Sequence, residues 1–228
     1  MGRQPSRGAV PQPARGPRSA IVLPDGRGPL SLPRTFAELC REVRRELGQG
    51  HRYAHTVRVA RLADRLAQAH RADARRARTA GMLHDLARLF ATDRLVAESE
   101  ARGLALDAFE RAHPVVLHAR LGAELARERF GIDDEAVLSA IRKHTLASGE
   151  MSTLDTIVYL ADGLEPGRKF DDRAALEALA FENLPAALAA LLRSHLEYVM
   201  KRQLEPAPQT LAALRRYATT TKEEAVSA

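Results

Sequence analysis

Residues from Thr35 onward follow a helical pattern of apolar side chains almost without interruption, and this limits the possible folds more than any other feature of the sequence. In the second predicted helix, for example, His55, Val59 and Leu62 are spaced four and three residues apart, which places them on one helix face. Alternating runs of β-branched residues, which would indicate strands, are nearly absent. The sequence therefore predicts an all-α protein built as a helical bundle.

Capping residues, prolines and glycines predict where these helices begin and end. Thr35 and Glu38 have capping-box spacing, so they are expected to open the first helix. Pro114 suits the first turn of a later helix, and Gly131 suits its C-terminal end. With Asp133 as a further cap, the predicted helices cover residues 35–47, 51–69, 74–89, 93–102, 114–131, 133–144, 152–164, 174–180, 185–204 and 210–217.

The first 34 residues differ in composition from the rest of the chain. They hold seven of the 12 prolines and five of the 14 glycines, and their six arginines against one aspartate give a net charge of +5. A segment with so few apolar residues cannot offset the entropy that ordering would cost. We therefore expect residues 1–34 to form a disordered basic tail and residues 35–228 to form one domain.

Charge, cysteine content and hydropathy exclude several classes of protein. The net charge of the chain is +6, and subtracting the +5 of the tail leaves +1, so no basic face for specific nucleic-acid binding is predicted. The single cysteine, Cys40, cannot form an internal disulfide, which suits a reducing compartment. No apolar run approaches the roughly 18–20 residues that span a bilayer. The sequence predicts a cytoplasmic protein without a membrane segment.

Four of the eight histidines fall on predicted inward helix faces, namely His55, His84, His118 and His144. Asp85 follows the second of them directly. Asp162 follows the apolar run 157–161, where burial of a carboxylate without a partner would be costly. One buried histidine most often only forms a hydrogen bond within a core. Five helices that each bring a ligand-type side chain indicate instead a shared site.

The chemistry of these side chains indicates a metal centre. Imidazole and carboxylate groups without a thiolate suit a hard to borderline metal such as Fe, Mn, Co or Zn. Because His84 and Asp85 are adjacent on a helix, both could flank one ion while the carboxylate also reaches a second. Four histidines and two aspartates are enough for two ions about 3.5–4 Å apart, which clamp a phosphate and activate water. The pattern therefore predicts hydrolysis of phosphoesters or phosphoanhydrides.

In this order, the six residues resemble the H…HD…H…H…D signature of the HD-superfamily metal phosphohydrolases. Surrounding segments are similar to the YqeK-type bacterial family within it, namely 52–56, 81–85, 117–118, 140–145, 151–152 and 160–168. The resemblance covers about residues 50–205 and leaves the tail outside. It implies an HD-domain bundle that hydrolyses diadenosine tetraphosphate symmetrically to two ADP at a di-iron site, with Mn or Co as the alternative metals.

The resemblance also implies which residues hold each metal. One cation would be bound by His55, His84, Asp85 and Asp162, and the other by Asp85, His118 and His144, so that Asp85 bridges the two. A metal-activated hydroxide would attack a central phosphorus, and Asp85 or Asp162 would take a proton as catalytic residues. The implied substrate-binding residues are Arg52, Arg88, His118, His144, Thr145, Asp162 and Arg168.

The sequence departs from the family pattern at three positions near the predicted ligands. Arg88 stands where the family usually has Lys, and Arg remains a good phosphate donor with a different geometry. Ala119 and Ala147 stand where the family tends to have Gly. A stiffer loop is expected to affect which nucleotide fits, or how fast it reacts, rather than metal binding.

Predictions for the remaining four histidines are weaker. His51, His70 and His195 are expected to face solvent, and Glu165 is expected only to terminate its helix. His113 lies five residues before His118 and stays open as an alternative metal ligand.

Two other functions stay open at this point. The same ligands would serve another HD phosphohydrolase, such as a nucleotidase or an alarmone hydrolase, and only the segment around Thr145 and Arg168 favours the dinucleotide. A regulatory nucleotide-binding module with little turnover is the alternative from a different class, although the complete ligand set argues against it. The expected partner is a dinucleoside polyphosphate, and homodimer formation stays open. The nearest aromatic residues for base stacking are Tyr53, Phe170 and Tyr198.

Overall fold

The computed structural model describes residues 35–48 and 50–226, with the backbone alone for residues 219–226. The predicted disordered tail, residues 1–34, lies outside this range. Within the described residues the chain is all-α, as predicted, and contains no strand. The α-helices are α1 Phe36–Leu47, α2 His51–Ala69, α3 Ala74–Leu83, α4 Thr92–Ala101, α5 Ala108–Ala112, α6 Leu117–Phe130, α7 Glu135–Lys143, α8 Thr153–Leu164, α9 Arg173–Glu182, α10 Leu184–Lys201 and α11 Pro208–Val226. No helix in this part of the chain is long and apolar enough to cross a membrane.

Helix α8 is the central element of the bundle. It begins with a capping box in which Ser152 and Asp155 satisfy each other's backbone N–H groups. Ten of its 12 residues are buried, because α2, α3, α7, α9 and α10 all pack against it. A helix that is apolar on nearly every face suits such a surrounded position. Asp162, near its C-terminal end, is thereby brought to the middle of the fold.

Helices α2 and α3 pack closely because a glycine lies between them. A Cβ added at Gly81 would lie only 2.9 Å from the Cα of Ala60. The two helix backbones therefore approach more closely at this point than any other residue would allow. This contact lies five residues after His55 on α2 and three residues before His84 at the end of α3, so it helps to bring the two imidazoles together.

Most predicted boundaries are confirmed to within one or two residues, but the third helix ends early. It was expected to reach residue 89 and ends at Leu83. Residues 84–90 continue as successive tight turns, with Arg88 N donating to Asp85 O and Phe90 N donating to Ala87 O. Because the backbone leaves the regular helix here, Asp85 and Arg88 lie on a turn rather than on a helix face.

The other corrections concern helix starts and ends. Asp134, rather than Asp133, caps α7, since its Oδ1 accepts a hydrogen bond from Ala136 N. Pro114 opens a 3₁₀ turn, Pro114–Val116, before α6 begins. Helix α5 was not predicted, although Asp107 provides its capping-box signal. Helix α10 ends at Lys201, and not at residue 204, whereas α9 and α11 are longer than expected.

Candidate metal centre

The six residues predicted as metal ligands converge at one place in the bundle. Each comes from a different helix or helix end, apart from the neighbours His84 and Asp85. His55 lies on α2, His118 on α6 and Asp162 on α8, while His84 and His144 are the C-terminal caps of α3 and α7. All four imidazoles and the Asp85 carboxylate are buried. The fold therefore forms the cluster that the order of the residues predicted.

His55, His84 and Asp162 form the first half of this cluster. The Nε2 atoms of the two histidines are 3.3 Å apart, and His55 Nε2 lies 3.1 Å from Asp162 Oδ1. His84 Nε2 lies 3.8 Å from the same carboxylate oxygen. Atoms that bind one cation at roughly 2.0–2.2 Å must lie at about these separations from one another. The three donors could therefore hold one metal ion.

His118 and His144 form the second half. Their Nε2 atoms are 3.2 Å apart, and both face Asp85 Oδ1, at 3.4 Å from His118 and 3.9 Å from His144. The hydroxyl of Thr145 lies 3.2 and 3.1 Å from the same two nitrogen atoms. This half also offers several donors to one cation.

Asp85 lies between the two halves and divides its oxygen atoms between them. Its Oδ1 faces His118 and His144, as described, whereas its Oδ2 lies 3.8 Å from His55 Nε2 and 3.6 Å from His84 Nε2. A carboxylate in this position can bridge two cations with one oxygen on each.

The second ring nitrogen fixes the orientation of each imidazole. The Nδ1 of His84 bonds to Gly81 O at 2.8 Å, that of His144 to Ile141 O at 2.7 Å, and that of His118 to Val115 O at 2.5 Å. A carbonyl oxygen only accepts hydrogen bonds, so the proton of each ring is on Nδ1 and the lone pair is on Nε2. Metal-binding histidines usually have this arrangement. The carbonyls of Gly81 and Ile141 are free to accept because they belong to the last turns of their helices.

Glu165 provides the corresponding acceptor for His55 and was missed by the sequence analysis. It lies just after α8, is almost fully buried, and accepts a hydrogen bond from His55 Nδ1 at 3.1 Å. Its carboxylate is held by Arg58 and by the backbone N–H of Gly167. The sequence signal was its position three residues after Asp162, combined with an arginine one turn after His55.

The environment favours the protonation states that metal binding requires for four of these residues. Burial disfavours a charged Asp85, but the nearby histidines His84, His144 and His118 outweigh it and lower the pKa of the carboxyl. Burial also opposes the charge of Asp162, yet its contact with His55 holds its pKa well below the usual range. Burial lowers the pKa of His118, and it lowers that of His144 to about 3. Carboxylates and neutral imidazoles are the metal-binding forms.

His55 differs from the other histidines in its electrostatic environment. Burial alone would lower its pKa, but the hydrogen bond with Asp162 and the acidic charges around the ring raise it. A cation bound here would therefore compete with the proton that these carboxylates favour on the ring.

A cavity of about 220 Å³ lies beside the cluster, and all of the predicted substrate-binding residues line it: Arg52, Arg88, His118, His144, Thr145, Asp162 and Arg168. Arg168 bonds through its guanidinium to the Asp162 carboxylate at 2.5 Å. Arg52 lies 3.4 Å from Asp85 Oδ2. The guanidinium groups of Arg52, Arg88 and Arg168 line this cavity beside the predicted metal ligands. They could bind the oxygen atoms of a phosphate group.

The structure places three further histidines away from where the sequence suggested. His113 contacts Phe109 and Glu205 and does not join the cluster, so its alternative role as the ligand in place of His118 has no geometric support. His195 was expected to face solvent; instead it is half-buried, lines the cavity and lies 3.0 Å from the hydroxyl of Tyr159. His70, also expected to face solvent, is half-buried and bonds to Ala180 O.

Comparisons with known proteins identify similar sequences and a similar structure. The family model described as "HD domain" matches residues 52–167. The protein named "Bis(5'-nucleosyl)-tetraphosphatase, symmetrical" from Halalkalibacterium halodurans is 35% identical over 167 residues, which cover 71% of this chain and 86% of that protein. The protein of the same name from Bacillus subtilis is 32% identical over 163 residues, which cover 70% of this chain and 86% of that protein.

Two further similarities differ in how much of the relative they cover. A protein of Mycoplasma genitalium named "Probable nicotinate-nucleotide adenylyltransferase/Ap4A hydrolase" is 42% identical over 120 residues, which are 52% of this chain and 33% of that protein. The chain thus matches about a third of the length of this relative. A solved structure of a predicted HD superfamily hydrolase from Clostridium acetobutylicum, described as involved in NAD metabolism, superposes with a TM-score of 0.78 at 31% identity. The match covers 82% of this chain and 98% of that one.

Proposed function

We propose that this chain, which belongs to the HD-domain family, hydrolyses diadenosine tetraphosphate symmetrically to two ADP at a centre of two divalent cations. Iron is the first candidate for both cations, with manganese and cobalt as alternatives. Two relatives that match most of the chain are named as symmetrical bis(5'-nucleosyl)-tetraphosphatases, which supports this substrate. The resemblance to HD-superfamily hydrolases that the motif predicted is confirmed by the family match.

One observation carries the metal part of the proposal: four imidazole Nε2 atoms face the two oxygen atoms of one buried carboxylate, Asp85. Without cations, such a group of lone pairs and negative charge would be costly to bury. A structural core would turn hydrogen-bond donors toward these acceptors. Here the ring protons of at least three of the histidines are used on the far side, by backbone carbonyls. The arrangement therefore suits two cations better than a purely structural role.

When bound, two cations would lower the pKa of an attacking water and hold the charge that gathers on the phosphate oxygens. The residues of this chain would then hold the two cations, set the spacing between them and take up a proton. His55, His84 and Asp162 would hold one cation, and His118 and His144 the other, while Asp85 keeps the two at a fixed spacing. Asp85 or Asp162 would take up the proton released during hydrolysis.

The arginines would bind and orient the polyphosphate. Arg168 is 44% exposed and bonds to Asp162 Oδ1, the same atom that lies 3.1 Å from His55 Nε2. A cation at that position would compete with the guanidinium for the carboxylate, which would free Arg168 to bind a phosphate group. Arg88 and Arg52 line the same cavity, and Thr145 offers a hydroxyl beside His118 and His144.

Product analysis tests the proposed reaction. The full-length protein is purified anaerobically, loaded with iron or manganese, and given diadenosine tetraphosphate, and the products are separated by chromatography. Two molecules of ADP per substrate are expected. ATP together with AMP would contradict symmetrical cleavage while keeping a hydrolase. No turnover by protein that contains both metals would contradict the proposed activity and favour a nucleotide-binding module.

A further inference from the structure

His195 lines the cavity beside the metal centre, although the sequence analysis gave it no part in the site. It lies on α10, a helix that supplies none of the six predicted metal ligands. Helix α10 packs against α8, which carries both Tyr159 and Asp162. The His195 Nδ1 atom lies 3.0 Å from the Tyr159 hydroxyl. The imidazole is therefore a further polar group in the wall of the cavity, and its orientation is fixed by α8.

The Tyr159 hydroxyl is the donor in this hydrogen bond. Tyr159 is 2% exposed, and burial raises the pKa of its hydroxyl, so the group keeps its proton. Within the described residues, His195 Nδ1 is the one acceptor that this hydroxyl contacts. If the proton pointed elsewhere, a buried donor would be left unsatisfied, which is unfavourable. Nδ1 of His195 therefore accepts the bond with its lone pair.

This hydrogen bond determines where the His195 ring carries its own proton. Burial lowers the pKa of His195, so the ring is neutral and has a single N–H group. Because the lone pair is on Nδ1, the proton is on Nε2. In the part of the chain that the structure describes, no acceptor contacts Nε2. His195 thus brings an unused hydrogen-bond donor to the wall of the cavity.

The arrangement at His195 is the reverse of that in the metal centre. His84, His118 and His144 carry their protons on Nδ1 and turn the lone pair of Nε2 toward the proposed cations. An N–H group has no lone pair for a cation, but it can donate a hydrogen bond to an anionic oxygen. The tautomer of His195 is therefore unsuited to metal binding and suited to the binding of an anion.

The charges around His195 indicate which part of the substrate it would contact. Arg168 and Asp162 line the same cavity, and the charges of both act on the His195 ring. Arg168 is the guanidinium that would bind a phosphate group once a cation takes its place on Asp162. A neutral N–H near this guanidinium adds a second donor without adding a second positive charge. Hydrogen bonds to an ionised acceptor such as phosphate are stronger than those between neutral groups.

We propose that His195 donates a hydrogen bond from Nε2 to a phosphate oxygen of the substrate, and that Tyr159 is the positioning residue that keeps the proton on this nitrogen. The inference rests on the proposed function, because it assigns a further contact to the same polyphosphate. The contact involves no proton transfer. An amide N–H in the same position should therefore replace it.

Binding of inorganic pyrophosphate tests this contact without a nucleoside and without turnover of the dinucleotide. The affinity is measured by calorimetry on the manganese-loaded, full-length protein. His195→Phe keeps a ring but removes the N–H, and it should lower pyrophosphate affinity about tenfold, the usual effect of losing one hydrogen bond to an ionised group. His195→Gln keeps an N–H donor and should retain most of the affinity. Tyr159→Phe should cause a smaller loss than His195→Phe, because the imidazole stays but its proton is no longer confined to Nε2.

Two controls separate this contact from an effect on the metals or on the fold. Bound metal is measured in each variant by mass spectrometry and should match that of the wild type. His70→Phe removes another half-buried imidazole, one that bonds to Ala180 O outside the cavity. It should bind pyrophosphate like the wild type.

Four results would overturn the inference. They are no pyrophosphate binding by the wild type, unchanged affinity in His195→Phe, an equal loss in His195→Phe and His195→Gln, or loss of bound metal in His195→Phe. These results are independent of turnover. A protein that shows the expected pattern of pyrophosphate affinities but does not cleave diadenosine tetraphosphate would contradict the proposed function and leave the phosphate contact of His195 supported.

Discussion

The Glu165 carboxylate accepts a hydrogen bond from Nδ1 of His55 at 3.1 Å, and this contact fixes the face that the imidazole presents to the metal centre. The other three histidines of the centre bond to carbonyls three residues earlier in the chain. His55 instead relies on a side chain 110 residues away. Arg58 holds that side chain in place through two of its nitrogen atoms.

Replacement of Glu165 is therefore expected to weaken metal binding. We expect Glu165→Ala to lower metal affinity by about 10- to 100-fold, as the loss of such supporting contacts usually does. Glu165→Gln keeps an acceptor oxygen and should retain more of the affinity. Metal titration monitored by activity is the measurement, and saturating metal should restore most of the turnover. Glu177→Gln, a carboxylate paired with Arg173 outside the centre, serves as the control. Wild-type metal affinity in Glu165→Ala would show that the contact has no role in orienting His55.

Arg168 is expected to act on the substrate rather than on the metals. Removal of its guanidinium in Arg168→Ala should raise the KM for diadenosine tetraphosphate by about tenfold, the size of a charge-assisted hydrogen bond. The content of bound metal should not change. Steady-state kinetics and metal analysis on the same preparation test both parts. Arg142→Ala removes an arginine that pairs with Glu135 and should leave KM unchanged. A normal KM in Arg168→Ala would exclude Arg168 as a phosphate contact.

Two alanines stand where the family tends to have glycine, and the structure predicts opposite effects for them. Ala147 has a φ of 58°, in the left-handed region that favours glycine. Ala147→Gly should therefore stabilise the fold by about 0.5–1 kcal/mol. This figure is the strain energy that glycine relieves, reduced by the conformational entropy that glycine adds to the unfolded chain. Ala119 is buried within α6, where glycine costs roughly 0.5–1 kcal/mol. Urea unfolding of Ala147→Gly and Ala119→Gly tests this. Destabilisation by Ala147→Gly would contradict the prediction.

The basic tail is expected to be dispensable for catalysis. All residues proposed for the centre and for the cavity beside it lie between Arg52 and His195. A chain that lacks residues 1–34 should therefore keep the kcat and KM of the full-length protein. The test is a direct kinetic comparison at matched metal content. A large fall in kcat on truncation would mean that the tail takes part in the reaction.

The sequence predicted the positions of the six central residues well because helical periodicity determines which side chains face inward. His55, His118 and Asp162 could be placed on inner faces from spacing alone, and the order of the motif supplied the rest. The predicted substrate-binding residues also line one cavity, as the resemblance implied. The cytoplasmic location and a homodimer stay predictions.

Contacts between distant segments could not be predicted in the same way. Glu165 and His195 were assigned to a helix end and to solvent, because their partners His55 and Tyr159 are far away in sequence. The early end of α3 was missed for a related reason. Its sequence continues with good helix formers, yet the bond from His84 to Gly81 O and the turns that follow end the helix there.

Bound metal in the wild type and in Asp85→Ala tests the central claim most directly. Asp85 is the one carboxylate that faces both halves of the described centre, so its removal should cost both cations and hydrolysis together. Metal content per chain is measured by mass spectrometry after gel filtration, and ADP formation is measured on the same samples. Asp93→Ala, at an exposed helix start, is the control. We predict two cations per chain and ADP formation in the wild type and in the control, and loss of both properties in Asp85→Ala. An Asp85→Ala protein that keeps two cations and full turnover would contradict the bridged two-metal centre.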